Sequence, residues 1–259
     1  MTDLLKEIVE RKRREIEQLK VELPLPQLES MTPKLPRIDF AAALKAKQPV
    51  KIIAELKKAS PSRGVLVDDF RPDRLARQYH DGGACALSVL TERHYFLGDP
   101  EYLVMAKKES GLPVLWKDFI VDQYQLFYAA HMGADAILLI ARLHSAKSLS
   151  RLLTVANEIG LDCLIETHKT DEVSLALGAG AKIVGVNNRD LKDFTVSLER
   201  CRDLAAHIPD TIVKVAESGI FTSKDVTRMK SWGFDCFLIG EALVKADDPI
   251  ALLQELTSA

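Results

Sequence analysis

Apolar and polar positions along this chain change character twice. Over residues 3–20, Leu5, Ile8 and Val9 recur at helical spacing. Arg11 to Arg14, Lys12 among them, and Glu15 are read as the opposite, solvent-facing side of one charged helix. Pro24, Pro26, Pro33 and Pro36 then follow without a period. Proline removes backbone donors, so this stretch is expected as a linker or wrapping segment. A short helix is expected at 40–46.

From residue 51 onward, short continuous apolar runs alternate with helical stretches. The runs lie at 51–56, 84–90, 114–117, 136–140, 163–166, 183–187, 212–216 and 236–240. Markers near their ends (Glu55, Glu92, Lys117, Arg142, Glu166, Asn187, Glu217, Gly240) are 21 to 37 residues apart. That interval holds one strand and one crossover helix. Helical patterns at 74–79, 124–130, 149–158, 173–177 and 229–232 are each followed by glycine, which takes the left-handed turn at a helix end cheaply. Eight such units predict a (β/α)8 TIM barrel with an N-terminal helical extension. An open doubly wound sheet is the weaker reading, because no G-x-G-x-x-G follows the first run. The expected organisation is one domain over 1–259, with the extension at 1–48 and the barrel at 49–259.

Composition narrows the partners. Thirty-five Lys+Arg against 37 Asp+Glu leave a formal charge of −2, so no nucleic-acid partner is expected. No apolar run approaches the ~20 residues of a membrane span, and no leader is read at the start. Cys85, Cys163, Cys201 and Cys236 form no C-x-x-C pair, and the apolar runs around Cys85, Cys163 and Cys236 mark small buried hydrophobes. A reducing, cytoplasmic compartment fits. The six histidines lack metal-ligand spacing, so neither metal nor cofactor is expected. His144 and His168 are expected to border the pocket.

In a barrel of this kind the chemistry sits at the C-terminal ends of the strands. Strand alternation puts Glu55 and Lys57 on one face with Ile53, Lys117 with Leu115, and Asn187 with Arg189. Glu166 closes the fifth run. Charged groups converging on one mouth need mutual compensation for their lost water, which marks a site. Ser218-Gly219 after the seventh run and Gly240-Glu241 before Ala242-Leu243 fit a phosphate site, where backbone N–H groups point at the anion. There Glu241 is expected to turn its carboxylate away and contribute its N–H. The polar loop 58–64 reads as a lid.

These residues resemble a known family. Ile53-Ala54-Glu55-Leu56-Lys57-Lys58-Ala59-Ser60-Pro61-Ser62 is similar to the first-strand signature of indole-3-glycerol phosphate synthase. So are Ser88 to Glu92, Phe96-Leu97-Gly98, Lys117-Asp118-Phe119-Ile120, Glu166-Thr167-His168, Gly185 to Leu191, Ala216-Glu217-Ser218-Gly219-Ile220 and Leu238 to Leu243. The resemblance covers essentially the whole chain. It implies a carboxy-lyase that turns 1-(2-carboxyphenylamino)-1-deoxyribulose 5-phosphate into indole-3-glycerol phosphate, carbon dioxide and water. It implies Lys117 as the acid of ring closure, with Glu55, Lys57 and Glu166 as the remaining acid–base groups. Asn187 and Ser218 are grouped with these catalytic residues. Arg189 would orient the substrate together with Asn187, and Glu217 is assigned to substrate binding. Ser218, Gly219, Gly240 and Glu241 would hold the phosphate, Ser60 would be the lid serine, and Phe119 would pack on the anthranilate ring. Trp116 departs from the family pattern but faces the helices, so no catalytic consequence is expected. The implied partner is a small anionic substrate, bound by a monomer. The competing readings are a Schiff-base aldolase-type barrel using Lys117 or Lys57, a phosphoribosylanthranilate isomerase-like enzyme, and a non-catalytic phosphometabolite-binding barrel. The isomerase is expected to carry a cysteine where Glu55 and Lys57 stand.

Overall fold

The computed structural model describes residues 3–190 and 194–259; Leu191, the end of one quoted block, lies outside the described residues. All eight expected runs form strands. They are β1 (Lys51–Leu56), β2 (Ala86–Leu90), β3 (Val114–Lys117), β4 (Ala136–Ile140), β5 (Asp162–Thr167), β6 (Ile183–Asn187), β7 (Val213–Glu217) and β8 (Cys236–Ile239). Each pairs in parallel with the next, and β8 returns to β1, with Ile53 opposite both Leu238 and Ala86. The sheet is therefore a closed (β/α)8 barrel. Closure buries both faces, which is why the strands read as unbroken apolar runs. Ile53, Leu115, Leu164, Ile183, Val215 and Leu238 belong to the cluster inside the barrel. Their neighbours Ile52, Ala54, Trp116, Ile165 and Phe237 pack outward into the main core beneath the helices. Trp116 meets Tyr128 edge-on at 5.8 Å, so it faces the helices as its parity requires.

The extension forms α1 (Asp3–Glu22), α2 (Leu25–Ser30) and α3 (Phe40–Leu44). α2 corrects the proline-rich linker. Pro26 stands at the start of that helix, where its missing N–H would have had no partner anyway. Leu28 is buried with Ile16 and Tyr124. The outer helices are α4 (Pro72–Asp81), α5 (Pro100–Ser110), α6 (Tyr124–Met132), α7 (Ala146–Glu158), α8 (Thr170–Gly178), α9 (Glu199–Ala205), α10 (Ser223–Lys230), α11 (Glu241–Val244) and α12 (Pro249–Thr257). Periodicity alone did not show α5, α9, α11 and α12. Two of them carry a sequence-readable cap: Asp99 and Asp248 each precede a proline and accept a first-turn N–H. Gly240 caps α11 instead of ending β8. Among the described residues no helix is long and apolar enough to cross a membrane.

The extension works at both ends of the barrel, not only at its mouth. Leu5, Ile8 and Val9 join the interior cluster together with Phe119. Lys12 is not on the wet face: it is buried, and its ammonium lies 3.0 Å from Asp118 Oδ2. At the opposite end, Asp135 Oδ1 accepts from Ile38 N–H at 2.6 Å and from Lys107 Nζ at 2.7 Å, while Oδ2 accepts from Val114 N–H at 2.8 Å. Ala41 N–H donates to Asp162 Oδ2 at 3.0 Å. Asp135 is fully buried, so its removal strands the buried Lys107 ammonium. Asp135→Ala should cost roughly 3–5 kcal/mol in urea denaturation. A loss below ~1 kcal/mol would show that this carboxylate does not pin the extension.

Candidate active site

Glu55 lies one residue before the end of β1 and Lys57 just past it, and alternation keeps both pointing inward. Lys57 Nζ donates to Glu55 Oε1 at 2.7 Å, and Ser88 Oγ of β2 lies 3.4 Å from Oε2. β3 ends in Lys117. Its ammonium reaches across the barrel to Glu217 Oε2 at 2.9 Å and to Glu166 Oε2 at 3.4 Å. Asn187 at the end of β6 accepts from Arg189 N–H at 3.0 Å through Oδ1, and its side chain hydrogen-bonds Glu166. Glu55, Lys57, Lys117, Glu166, Asn187, Arg189 and Glu217 line one cavity at the mouth. The expected convergence is therefore present.

Glu217, expected to bind substrate, lines the cavity, is 1 % exposed and is the nearer carboxylate partner of Lys117. Space for it comes from β6: a Cβ on Gly185 would collide with Glu217 Oε1. Parity with Val215 marks Glu217 as inward-facing, but its pairing with Lys117 is set by the register that places it opposite Asn187.

Three carboxylates share two ammonium groups here, so one negative charge is in excess, and burial decides where it goes. Burial and then the charge of Glu166 push Glu217 up to about 7 against the pull of Lys117. Burial also opposes ionisation of Glu166 and Glu55, but Lys117 with His168, and Lys57 with Lys117, outweigh it and hold both below the ordinary range. Burial pulls Lys117 down, and Glu217, Glu166 and Glu55 more than reverse that, so the ammonium stays charged. Carboxylates driven apart in this way mark acid–base assignments: Glu217 titrates near neutrality while Glu166 and Glu55 remain ionised.

The anion-binding rim lies beside this cluster. Ser218 and Gly219 follow β7 with φ of 65° and 77°, a left-handed pair. Asn188 Nδ2 fixes the Ser218 carbonyl at 3.1 Å. The Gly219 N–H donates to no acceptor among the described residues, and the first N–H groups of α11 have none within their helix. Gly240 packs directly on Glu55, whose Oε1 lies 2.6 Å from where a Cβ would stand. Glu241 lines the cavity with its carboxylate clamped by Lys245 at 2.9 Å, Arg189 at 3.2 Å and Arg63 at 3.6 Å. It reaches across the rim to cations, so the expectation of a carboxylate simply turned away is replaced by a neutralised one.

Ser60 lies in a small hairpin in which Ala59–Ser60 pairs antiparallel with Gly64–Val65, so the lid loop is an ordered turn over the cavity. Phe119 forms an apolar wall with Phe96, their ring centroids 6.2 Å apart. Glu92 shapes that wall: its carboxylate accepts the N–H groups of His94, Tyr95 and Phe96 at 2.6–3.0 Å. Phe194 and Phe221 also line the cavity, a role that no sequence pattern marked.

The histidines do not border it. His168 is buried behind Glu166, with Nε2 3.5 Å from Glu166 Oε1 and Nδ1 3.4 Å from Glu172. His144 lines a separate cleft between α1, α6 and α7, where burial lowers its pKa to about 4. Of the thiols, Cys163, Cys201 and Cys236 are buried and Cys85 half-buried; burial pushes Cys85 and Cys163 up to about 12. None is poised as a nucleophile.

Acid–base groups inside a barrel mouth, a cationic and N–H-rich rim after β7 and β8, and an aromatic wall define a (β/α)8 enzyme with a cavity suited to a small anionic substrate. Among solved structures, 3-hexulose-6-phosphate synthase from Salmonella typhimurium matches with a TM-score of 0.65 at 16 % identity, covering 81 % of this chain and 97 % of that one. At that identity the match supports the fold alone. Sequence comparison goes further. The family model of indole-3-glycerol phosphate synthase matches residues 5–256. The Roseiflexus castenholzii enzyme of that name is 45 % identical over 266 residues, covering 99 % of this chain and 98 % of that protein. The Chlorobium phaeovibrioides one is 47 % identical over 241 residues, covering 92 % and 93 %. The chain belongs to the indole-3-glycerol phosphate synthase family, whose members are decarboxylating lyases of tryptophan biosynthesis.

The raised Glu217 pKa has a consequence for stability. The native state keeps a proton that the unfolded chain, with an ordinary carboxylate value of 4.5, releases. This stabilisation is complete below about pH 4.5 and is lost as pH rises through about 7. In Glu217→Gln the fall in unfolding free energy between pH 5 and 8 should shrink by on the order of 1–3 kcal/mol. An unchanged slope in urea titrations at the two pH values would contradict the assignment.

Proposed function

We propose that this chain converts 1-(2-carboxyphenylamino)-1-deoxyribulose 5-phosphate into indole-3-glycerol phosphate, carbon dioxide and water. The observation that carries this reading is Lys117, an ammonium held between Glu217 and Glu166 within one cavity that also presents Gly219, Gly240 and an aromatic wall. Lys117 donates its proton to the substrate carbonyl oxygen as the ring carbon bearing the carboxylate attacks the carbonyl carbon. Carbon dioxide then leaves, and its bonding electrons restore the aromatic ring. Glu166, kept ionised and oriented by Asn187, faces the positive charge that builds on the nitrogen side of these intermediates. The Lys57–Glu55 pair supplies an acid for the departing hydroxyl and a base for the proton lost from carbon, which releases water. Glu217 lies next to Lys117 and couples to its charge: protonating Glu217 removes an anionic partner and eases the ammonium's proton transfer.

In this reading the phosphate sits at Ser218, Gly219, Gly240 and Glu241, with the Glu241 side chain neutralised by its three cations. Arg189 orients the anionic substrate from its place on the rim, Ser60 closes over it, and Phe119 covers the anthranilate ring. The chain acts as one domain with its extension, as a cytoplasmic monomer with no nucleic-acid partner. Near-balanced charge and free thiols support that view.

Fluorescence-monitored formation of indole-3-glycerol phosphate tests the reading, and no product with enzyme in excess would sink it. Lys117→Ala should keep its circular dichroism spectrum and lose about 10²- to 10⁴-fold in turnover. Near-normal turnover of that variant would remove Lys117 from the mechanism. Gly219→Ala should raise KM by about tenfold, the loss of ~1.4 kcal/mol of binding, with a smaller change in kcat. A Cβ at Gly219 meets the Val196 and Leu198 side chains, away from the charged cluster, whereas one at Gly240 displaces Glu55, so Gly240 is not an equivalent probe. A Gly219→Ala effect confined to kcat would place the phosphate elsewhere.

A further inference from the structure

Lys12 and Asp118 are 106 residues apart in the chain, yet they form a buried ion pair at 3.0 Å. Lys12 also reaches Glu15 Oε2 at 2.9 Å. Asp118 follows Lys117 and precedes Phe119; all three line the cavity, but the Asp118 carboxylate turns toward Lys12 of α1. Its carboxylate ties three segments together. Oδ1 accepts the Phe119 N–H at 2.7 Å, and Oδ2 accepts from Lys12 and, at 3.3 Å, from Thr91 Oγ1 at the end of β2. Thr91 N–H in turn donates to the Lys117 carbonyl at 3.1 Å. The backbone on both sides of Lys117 is thus held through one buried carboxylate, and the cation paired with that carboxylate comes from α1.

We propose that Lys12 is a positioning residue for the reaction: by pairing with Asp118 it lets the N-terminal extension set the turn that carries Lys117 and Phe119. This rests on the proposed synthase reading. A carboxylate that is 6 % exposed keeps its charge only beside a cation. Without Lys12 it keeps only a hydroxyl and one N–H as donors, with Glu15 nearby. The turn is then free to rearrange toward water, and the Lys117 ammonium and Phe119 ring move with it.

The test compares the parent chain with Lys12→Met and Lys12→Arg, at a temperature where circular dichroism shows each fully folded. The readout is kcat per folded molecule, from indole-3-glycerol phosphate fluorescence. Lys12→Met is expected to lose at least about tenfold in kcat, a shift of ~1.4 kcal/mol in the barrier, and Lys12→Arg to recover most of it. Should Lys12→Met fail to fold at any temperature, the double variant Lys12→Met with Asp118→Asn takes its place, since it buries no unpaired charge. The same tenfold loss is expected of it. If kcat per folded molecule stays at the parent level in the folded methionine variant, or in the double variant where that one replaces it, Lys12 is only structural and the proposal fails. An inactive parent chain would instead overturn the synthase reading, so the two failures are distinct.

Discussion

Lys117 sits among three carboxylates and a second ammonium, all removed from bulk water at the barrel mouth. Much of the rest follows from that cluster. Isolated charges at such depth would be expelled or neutralised, so they persist only by facing one another. Glu55 takes Lys57, and Lys117 takes Glu217 and Glu166. Burial raises Glu217 most, up to about 7, so the leftover negative charge is the one that a proton relieves most easily. A group poised to gain or lose a proton near neutrality is what a sequence of ring closure, decarboxylation and dehydration requires. Packing serves the same end. Gly185 and Gly240 leave room for Glu217 and Glu55, and Asn187 fixes Glu166.

Much of this was legible in the residue order because strand alternation is rigid. Once β1 was placed, the inward direction of Glu55 and Lys57 followed from Ile53, and Lys117 from Leu115. The two glycines after the last strands were legible as backbone signals: Gly219 takes a φ of 77° that other residues meet poorly, and Gly240 leaves room for Glu55. Pairings across the barrel were not legible. Nothing local to Glu217 says that it meets Lys117, a hundred residues earlier, and its neighbours Ser218 and Gly219 drew it into the phosphate reading. Lys12 failed for a similar reason. A lysine in a basic stretch of an amphipathic helix is ordinarily solvated, and only the tertiary position of Asp118 reverses that. His168 looked like a pocket residue from its place after β5, yet its ring turns behind Glu166.

The extension is integral to the site. α3 is fastened beneath the barrel by Asp135 and Asp162, and α1 reaches the mouth side through Lys12. Helix packing, loop anchoring by Glu92 and the aromatic wall of Phe96 and Phe119 thus converge on one shape. That shape is an anionic-substrate cavity with its reactive charges already paired before substrate arrives.

The distribution of that charge is the central claim, and carboxyl-carbon NMR of glutamate-labelled protein reads it directly. One buried glutamate resonance should titrate near pH 7 and vanish in Glu217→Gln, while those of Glu166 and Glu55 stay ionised down to below pH 4.5. Glutamates that all titrate in the ordinary acid range, or a near-neutral step that persists in Glu217→Gln, would contradict the account.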